Sequence, residues 1–444
     1  MHTPTTLMLT HVITIFPAAK HHACICSSGS QGYHALKEML LSGIPGNTIL
    51  IETDDLRNID NSNSCDTLPP STAAYGEECS LLVYTFDYGD SDDVPPEYHR
   101  HLPQGTQYVT IYSNLQSIPS YFLANCIHLK SIDMSPLPRV TKLFRNFLTG
   151  CENLTSVDLS PFSQLDELPG FFLSECKGLT SIDLRPLSRI KQLNGFFLSG
   201  CVGLTKIDFT PLSQLKGLHW GFLSECTGLT SIDLGPLSQL EEIQGYFLFG
   251  CNGLSSINLR PLSNLLSTEL PGNFLSGCAG LSEIDLRPLS KITETSWGFL
   301  SQCTGLKTVD LAPLSQLTKV AGGFLFECAS LESIDLRPLS QVVDISWNFL
   351  SGCNSLKTVD LSPLVSLESL SWGFLSECDG LTTMDLAPLH HCTTLPKGFL
   401  AECPNLELID LRPLVRLIEL PDDIDTDDPR LLLPPQLAST SEHH

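Results

Sequence analysis

Basic residues are scarce in this chain: 25 Lys and Arg stand against 49 Asp and Glu, a formal net charge of -24 over 444 residues. That balance excludes a phosphate-backbone binder and a binder of anionic membranes, and it favours a basic partner or a solvated surface. Long apolar runs are missing too. No stretch of 18 or more apolar residues occurs, so a transmembrane helix is excluded, although 42% hydrophobic residues require a sizeable buried core. Signature motifs of catalysis are also missing. There is no G-x-x-x-x-G-K-[ST] loop, no G-x-G-x-x-G turn, no G-x-S-x-G elbow, no H-E-x-x-H helix and no kinase set. The fragment Gly29 to Gly32, GSQG, reads as an ordinary turn.

What is present in abundance is repetition. Twelve cysteines, from Cys126 through Cys151, Cys176, Cys201, Cys226, Cys251, Cys278, Cys303, Cys328, Cys353 and Cys378 to Cys403, follow one another at 25 residues, with one step of 27. The two extra residues lie within Leu265 to Asn273. Counting from each cysteine, Phe stands four before it, Leu three after and Pro ten after, with Ile or Val six after except at Met384 and Leu eight after except at Met134 and Phe209. A fixed period of this length is the mark of a solenoid. No unit can bury its apolar side chains alone, but stacked units turn each position into a continuous ladder.

The period changes within a unit. Ile232 and Leu234 are two apart and share one face of a strand, with Asp233 on the other. Pro236 lacks the N–H that would continue a ladder and ends the strand. Leu237, Leu240 and Ile243 follow at spacings of three, which predicts a 3₁₀ or irregular return.

The segment Leu229 to Leu237, LTSIDLGPL, resembles the leucine-rich repeat, and Phe-Leu ahead of a cysteine resembles its BspA-like class. The resemblance covers about Tyr108 to Leu420. It implies a leucine-rich-repeat solenoid of stacked parallel strands with irregular or 3₁₀ return segments. It also implies a protein-interaction role, either as a scaffold or as a cell-surface adhesin. The unit departs from the usual one by about two extra residues and by its Pro standing two residues after the strand Leu.

Residues 1–107 do not repeat and read as a small α/β cap, with strands at His11 to Phe16 and Thr48 to Glu52 and a helix at Tyr33 to Leu41. That region leaves open a different class, an enzymatic or metal-binding domain targeted by the repeats. His21, His22, Cys24 and Cys26 are its candidate ligands, without a paired CxxC knuckle. Residues 7–19, LMLTHVITIFPAA, resemble a signal segment but no Lys or Arg precedes them. Pro421 to Asp428, PDDIDTDD, cannot continue the apolar ladder and read as a polar stop, and residues 421–444 as a whole read as an acidic, disordered tail.

Seventeen cysteines, an odd count of which twelve form one regular ladder, suit buried free thiols in a reducing compartment better than disulfides. Cys392, beside His390 and His391, stands where other units carry Leu, Ile or Val and reads as core. No cofactor, metal or catalytic residue is assigned.

Three features could bind a partner. The outward strand residue is Asp133, Asp158, Asp183, Asp208, Asp233, Asp285, Asp310, Asp335, Asp360, Asp385 and Asp410, with Asn258 the exception. Such a ladder either accepts local hydrogen bonds from backbone N–H and hydroxyl groups or attracts a basic protein. Two residues on, Arg185, Arg260, Arg287, Arg337 and Arg412 alternate with small residues and offer specificity or charge balance. Finally, all four tryptophans, Trp220, Trp297, Trp347 and Trp372, stand six before a repeat cysteine. Facing solvent they would form an aromatic stripe; facing inward, the arrangement favoured by their size, they would fill a corner of the core.

Overall fold

A computed structural model describes residues 22–26, 48–53, 79–85, 102, 106–113, 116–137 and 139–438. It divides into two compact units, residues 1–191 with 201–203 and residues 192–200 with 204–444. The expected strand at His11 to Phe16, the expected helix at Tyr33 to Leu41 and the segment Gly29 to Gly32 lie outside the described residues.

In the first unit, His22–Cys26 pairs antiparallel with Cys79–Thr85, which pairs with Thr48–Thr53, which pairs with Tyr108–Ser113. Tyr108–Ser113 then pairs in parallel with Ser131–Asp133 of the first coil. One strand therefore carries the antiparallel sheet over into the parallel stack. Thr48–Thr53 coincides with an expected strand; His22–Cys26 and Cys79–Thr85 were not anticipated.

The coil around Cys303, in the second unit, shows how the repeat folds. Phe299, Cys303, Leu306, Val309, Leu311, Leu314, Leu317 and Val320 are all buried, which are the inward positions that the spacing predicts. Thr308–Val309 pairs in parallel with Ser333–Ile334 of the next coil. Chain direction then reverses at the 3₁₀ turn Ala312–Leu314, where Pro supplies a preset φ and Leu314 N–H bonds to Leu311 C=O at 2.8 Å.

The return is more regular than the sequence suggests. Lys319–Val320 is a two-residue strand, paired in parallel with Glu294–Thr295 on one side and Asp344–Ile345 on the other. Its alternation, one residue out and one in, is too short to read as a period of two, which is why spacing alone leaves it irregular. The two extra residues between Cys251 and Cys278 lengthen the turn to Arg260–Asn264 and leave Leu266 76% exposed. They also split the return sheet. Gly217–Leu218 pairs with Glu242–Ile243, and a separate sheet starts at Glu269–Leu270.

The segment leading into each cysteine is the least ordinary part of the coil. Gly298, Leu300 and Gln302 have φ of +77°, +50° and +58°, so every second residue is left-handed. A left-handed Leu costs about 1–2 kcal/mol. Inter-coil hydrogen bonds offset it: Gly298 N–H to Gly322 C=O at 2.8 Å, Leu300 N–H back to Phe274 C=O at 3.2 Å, and Gln302 N–H to Phe326 C=O at 2.6 Å. Alternate residues thus tie the coil to its two neighbours in turn. Inside, Phe274, Phe299, Phe324 and Phe349 stack with centroids 6.2, 5.1 and 5.7 Å apart and planes within 21°.

This backbone explains the cysteine. Leu275 C=O receives Cys278 N–H at a long 3.4 Å and, from the next coil, the Cys303 thiol at 3.2 Å. The same thiol bond recurs from Cys151 to Leu123 at 3.1 Å, from Cys226 to Leu198 at 3.1 Å and from Cys378 to Leu350 at 3.2 Å. A side chain here must be small, apolar in body and still able to donate, and Cys meets all three demands. The twelve ladder cysteines and Cys392 are all free thiols. Burial pushes the Cys328 and Cys378 thiols up to about 12. Cys392 is core as expected, its thiol 3.6 Å from Leu367 C=O.

Residues 421–438 do not behave as the disordered tail that composition suggests. Leu431–Leu432 pairs in parallel with Ile409–Asp410. Three polar side chains supply what a further coil would have supplied. Asp423 Oδ2 accepts Gly398 N–H at 2.7 Å, Arg430 donates to Cys403 C=O at 3.1 Å and to Leu406 C=O at 3.4 Å, and Gln436 donates to Leu414 C=O at 3.1 Å. An acidic, proline-containing segment forms a lid here because its polar groups meet the unpaired backbone of the coil around Cys403.

Two outcomes are expected. Cys303→Ala, which removes the donor from Leu275, should cost about 1 kcal/mol or more in denaturant unfolding, whereas Phe299→Ala should cost about 3–5 kcal/mol. Native protein at neutral pH should alkylate its ladder thiols far more slowly than unfolded protein, read by intact mass.

Candidate interaction surfaces

The strand-side carboxylates serve the fold first. In each coil the outward Asp accepts, on Oδ1, the N–H of the residue two further on, the one that opens the 3₁₀ turn. The distances are 3.0 Å from Arg185 to Asp183, 2.9 Å from Thr210 to Asp208, 2.8 Å from Gly235 to Asp233 and 3.0 Å from Arg287 to Asp285. Ala312 to Asp310, Arg337 to Asp335, Ser362 to Asp360 and Ala387 to Asp385 are each 2.9 Å. Asn258 does the same for Arg260 at 3.1 Å, so the acceptor oxygen, and not the charge, is what the turn requires.

Arginine then folds back onto its own carboxylate. Arg185, Arg287, Arg337 and Arg412 each place Nη2 2.6–2.8 Å from Oδ2 of Asp183, Asp285, Asp335 and Asp410. These guanidiniums hold Asp183 and Asp285 down to about 2, the side-chain bond being the largest cause and the backbone N–H the next. Arg260 differs, because Asn258 offers it no carboxylate, and its charge acts on Asp285 of the next coil.

The tryptophan register faces solvent. Trp220, Trp297, Trp347 and Trp372 are 47%, 41%, 46% and 57% exposed, not enclosed in the core as their size suggests. Each ring keeps one face on a glycine of an adjoining coil. A Cβ on Gly245 would fall inside the Trp220 ring, one on Gly322 inside the Trp347 ring, and one on Gly272 would meet Trp297 Nε1 at 2.7 Å. Glycine is required there by close approach. Trp372 is held more loosely: its Nε1 would lie 3.3 Å from a Cβ on Gly398, and Lys397 takes the register position that glycine holds in the other three cases.

The rings also gather differently from a simple stripe. Trp220 and Trp297 converge from either side on Tyr246, with centroids at 6.0 and 5.6 Å and planes at 45° and 81°. Phe249 adds an edge contact to Tyr246 at 5.3 Å. Sequence reading missed Tyr246 and Phe249, which stand five and two before Cys251; the first position varies among Gly, Asn and aromatic residues from unit to unit, and the second is most often Ser. The available signal was reciprocity. Where Trp occupies one of the paired positions, the residue after it is Gly or Asn, and where Phe or Tyr occupies the second at 171, 196 and 246, the first is Gly.

A third feature is an open groove of about 380 Å³ lined by Glu327, Glu377, Asp379 and Glu402 with Thr304, Ala329, Gly352 and Asn354. Among the described residues no group of His, Cys, Asp or Glu is arranged to hold a metal ion, and no helix is long and apolar enough to cross a membrane. His390 and His391 stack on each other at 4.0 Å. Of the proposed N-terminal ligands, His22, Cys24 and Cys26 fall on a described strand backbone and His21 lies outside the described residues.

Because Asn258 already substitutes for Asp, Asp310→Asn should leave the unfolding midpoint in denaturant unchanged, while Asp310→Ala should cost about 1 kcal/mol, the scale of a lost cap. The Arg-held carboxyls have a folded pKa below the unfolded one, so their contribution is complete above about pH 4 and is lost as pH falls toward about 2. Carboxyl NMR titration should find Asp183 and Asp285 the last of the ladder to protonate.

Comparison with known proteins follows the same lines as the geometry. Comparison with curated proteins gives no match. Among solved structures, a leucine-rich repeat protein from Bacteroides ovatus is 20% identical over 69% of this chain and 80% of its own, with a TM-score of 0.44. The functional domain of InlJ from Listeria monocytogenes, described as including a cysteine ladder, is 21% identical over 61% of this chain and 62% of its own, with a TM-score of 0.33. A leucine-rich cell surface protein from Faecalibacterium prausnitzii is 15% identical over 72% and 93%, with a TM-score of 0.42. The family described as BspA type leucine-rich repeat region (6 copies) matches residues 104–217, 163–269, 222–338 and 319–420. The stacked coils and that match over most of the sequence together place the chain in the BspA type leucine-rich repeat family.

Proposed function

We propose that this chain is a non-catalytic scaffold for protein binding, and that the tryptophan corner makes the principal contact. The family is one of repeat proteins that are generally non-catalytic and generally used for protein binding. The observation that carries the reading is the exposure of Trp220, Trp297, Trp347 and Trp372 on rings already fixed against glycine. Large rings that lose little freedom on binding are the residue type that dominates interface energetics.

The strand face plays a lesser part in this reading. Asp183, Asp208, Asp233, Asp285, Asp310, Asp335, Asp360 and Asp385 each give one oxygen to the turn, and Arg185, Arg287 and Arg337 are held by their own carboxylates. Recruiting those arginines to a partner would first break an existing pair, so their contribution is long-range steering of a basic protein. Arg260, which has Asn258 where the other arginines have a carboxylate two residues before, is the arginine best placed to contact a partner directly.

Trp297→Ala and Trp372→Ala should each weaken capture of a mass-spectrometrically identified partner by about 2 kcal/mol or more while leaving the far-UV spectrum and thiol protection unchanged. Asp310→Asn should change affinity little. Undiminished capture by the tryptophan variants would remove the corner from the binding surface.

A further inference from the structure

The corner at Trp220, Tyr246 and Trp297 has a chemistry more specific than exposed apolar area. We infer that it receives a cationic side chain, Lys or Arg, from a basic segment of the protein partner. The inference deepens the scaffold reading and rests on this corner being the contact surface.

Ring orientation is the first observation. Trp220 and Trp297 meet Tyr246 at 45° and 81°, so the three rings cross one another and present no single plane. A flat sugar or base could stack on only one of them. A compact ammonium or guanidinium lying against crossed rings can meet more than one π face, and each face attracts positive charge. The rings are also held in place before any ligand arrives. Trp220 lies over Gly245 and Trp297 over Gly272, and both converge on the tyrosine of an intervening coil.

Charge is the second. The outward residues of the return strands read Gly217 and Glu242 in one sheet and Glu269, Glu294 and Lys319 in the next. The interval that carries the rings is therefore acidic, bounded by a residue without charge and by a lysine. Glu242 stands four residues before Tyr246 and is fixed by Gln244 at 2.9 Å. Glu269 accepts the hydroxyl of Ser296, the neighbour of Trp297, at 2.5 Å, and Glu269 and Glu294 are direct partners in register. Two adjacent carboxylates repel one another, and a bound cation relieves that repulsion. Aromatic faces and carboxylates are separate attractions, and here they favour one kind of ligand.

The test is binding of fluorescent octa-arginine to the full-length chain at physiological salt, followed by anisotropy and tryptophan quenching, with octa-glutamate as the control. Octa-arginine should bind saturably and quench; octa-glutamate should not. Trp220→Ala and Trp297→Ala, which alter exposed rings and leave the core intact, should each weaken binding about 10-fold. Glu269→Gln should weaken it, whereas Glu402→Gln, an equal change of charge in the other groove, should leave it unaltered. Equal affinity for wild type and Trp297→Ala would mean attraction to the net negative charge alone and would overturn the inference. Absence of octa-arginine binding, with partner capture still lost in Trp297→Ala, would overturn the cationic assignment while the contact surface stood. Binding of a neutral oligosaccharide in its place, lost in the same variant, would reassign the rings to sugars and overturn the inference too. If neither octa-arginine binding nor partner capture depends on the tryptophans, the inference and the contact surface fall together.

Discussion

Everything in the coil depends on one alternation, the left-handed conformation at every second residue from the glycine or aromatic corner to the cysteine. A backbone of this kind is unfavourable for Leu taken alone, and it persists because the N–H groups of alternate residues reach the coil ahead and the coil behind. The carbonyl left at the left-handed Leu is met by a thiol from the next coil, as Cys303 meets Leu275. The cysteine ladder is thus neither a redox device nor mere filling. It is the side-chain half of a hydrogen-bond ladder whose other half is backbone, and the phenylalanine stack beneath it supplies the apolar area that holds the coils together.

Strand-side chemistry follows a parallel logic. The Asp that looks like a binding ladder is the acceptor that closes each Pro-containing 3₁₀ turn, and Asn258 shows that one neutral oxygen suffices. Charge remains as a secondary property, trimmed wherever an Arg two residues later returns to the carboxylate. Exposed ion pairs of this kind contribute little to stability. They set the local sign of the field.

The repeat, the inward positions, the 3₁₀ turn at Pro and the free-thiol ladder are legible in sequence because each is written into unit after unit, as Phe299, Cys303, Leu306 and Leu311 show. Features decided by neighbours in space are not. The return strand at Lys319–Val320 is two residues long and carries no period of its own. Tyr246 stands at a position that varies from unit to unit and acquires meaning only from Trp220 and Trp297, which stand 26 and 51 residues away in sequence. Composition marks residues 421–438 as disordered, yet Asp423, Arg430 and Gln436 find order in the backbone groups that the coil around Cys403 leaves unmatched. The tryptophan register was legible as a register; which way it faces was decided by the glycines beside it.

That lid has a consequence for assembly. Each coil is a template for its successor, and a coil with bare donors and acceptors could recruit the first coil of another chain as readily as its own continuation. With Arg430 over the carbonyls of Cys403 and Leu406, and Asp423 on the amide of Gly398, that end of the stack no longer reads as a vacant seat. The same polar residues that finish the fold occupy donors and acceptors through which a further coil would pair.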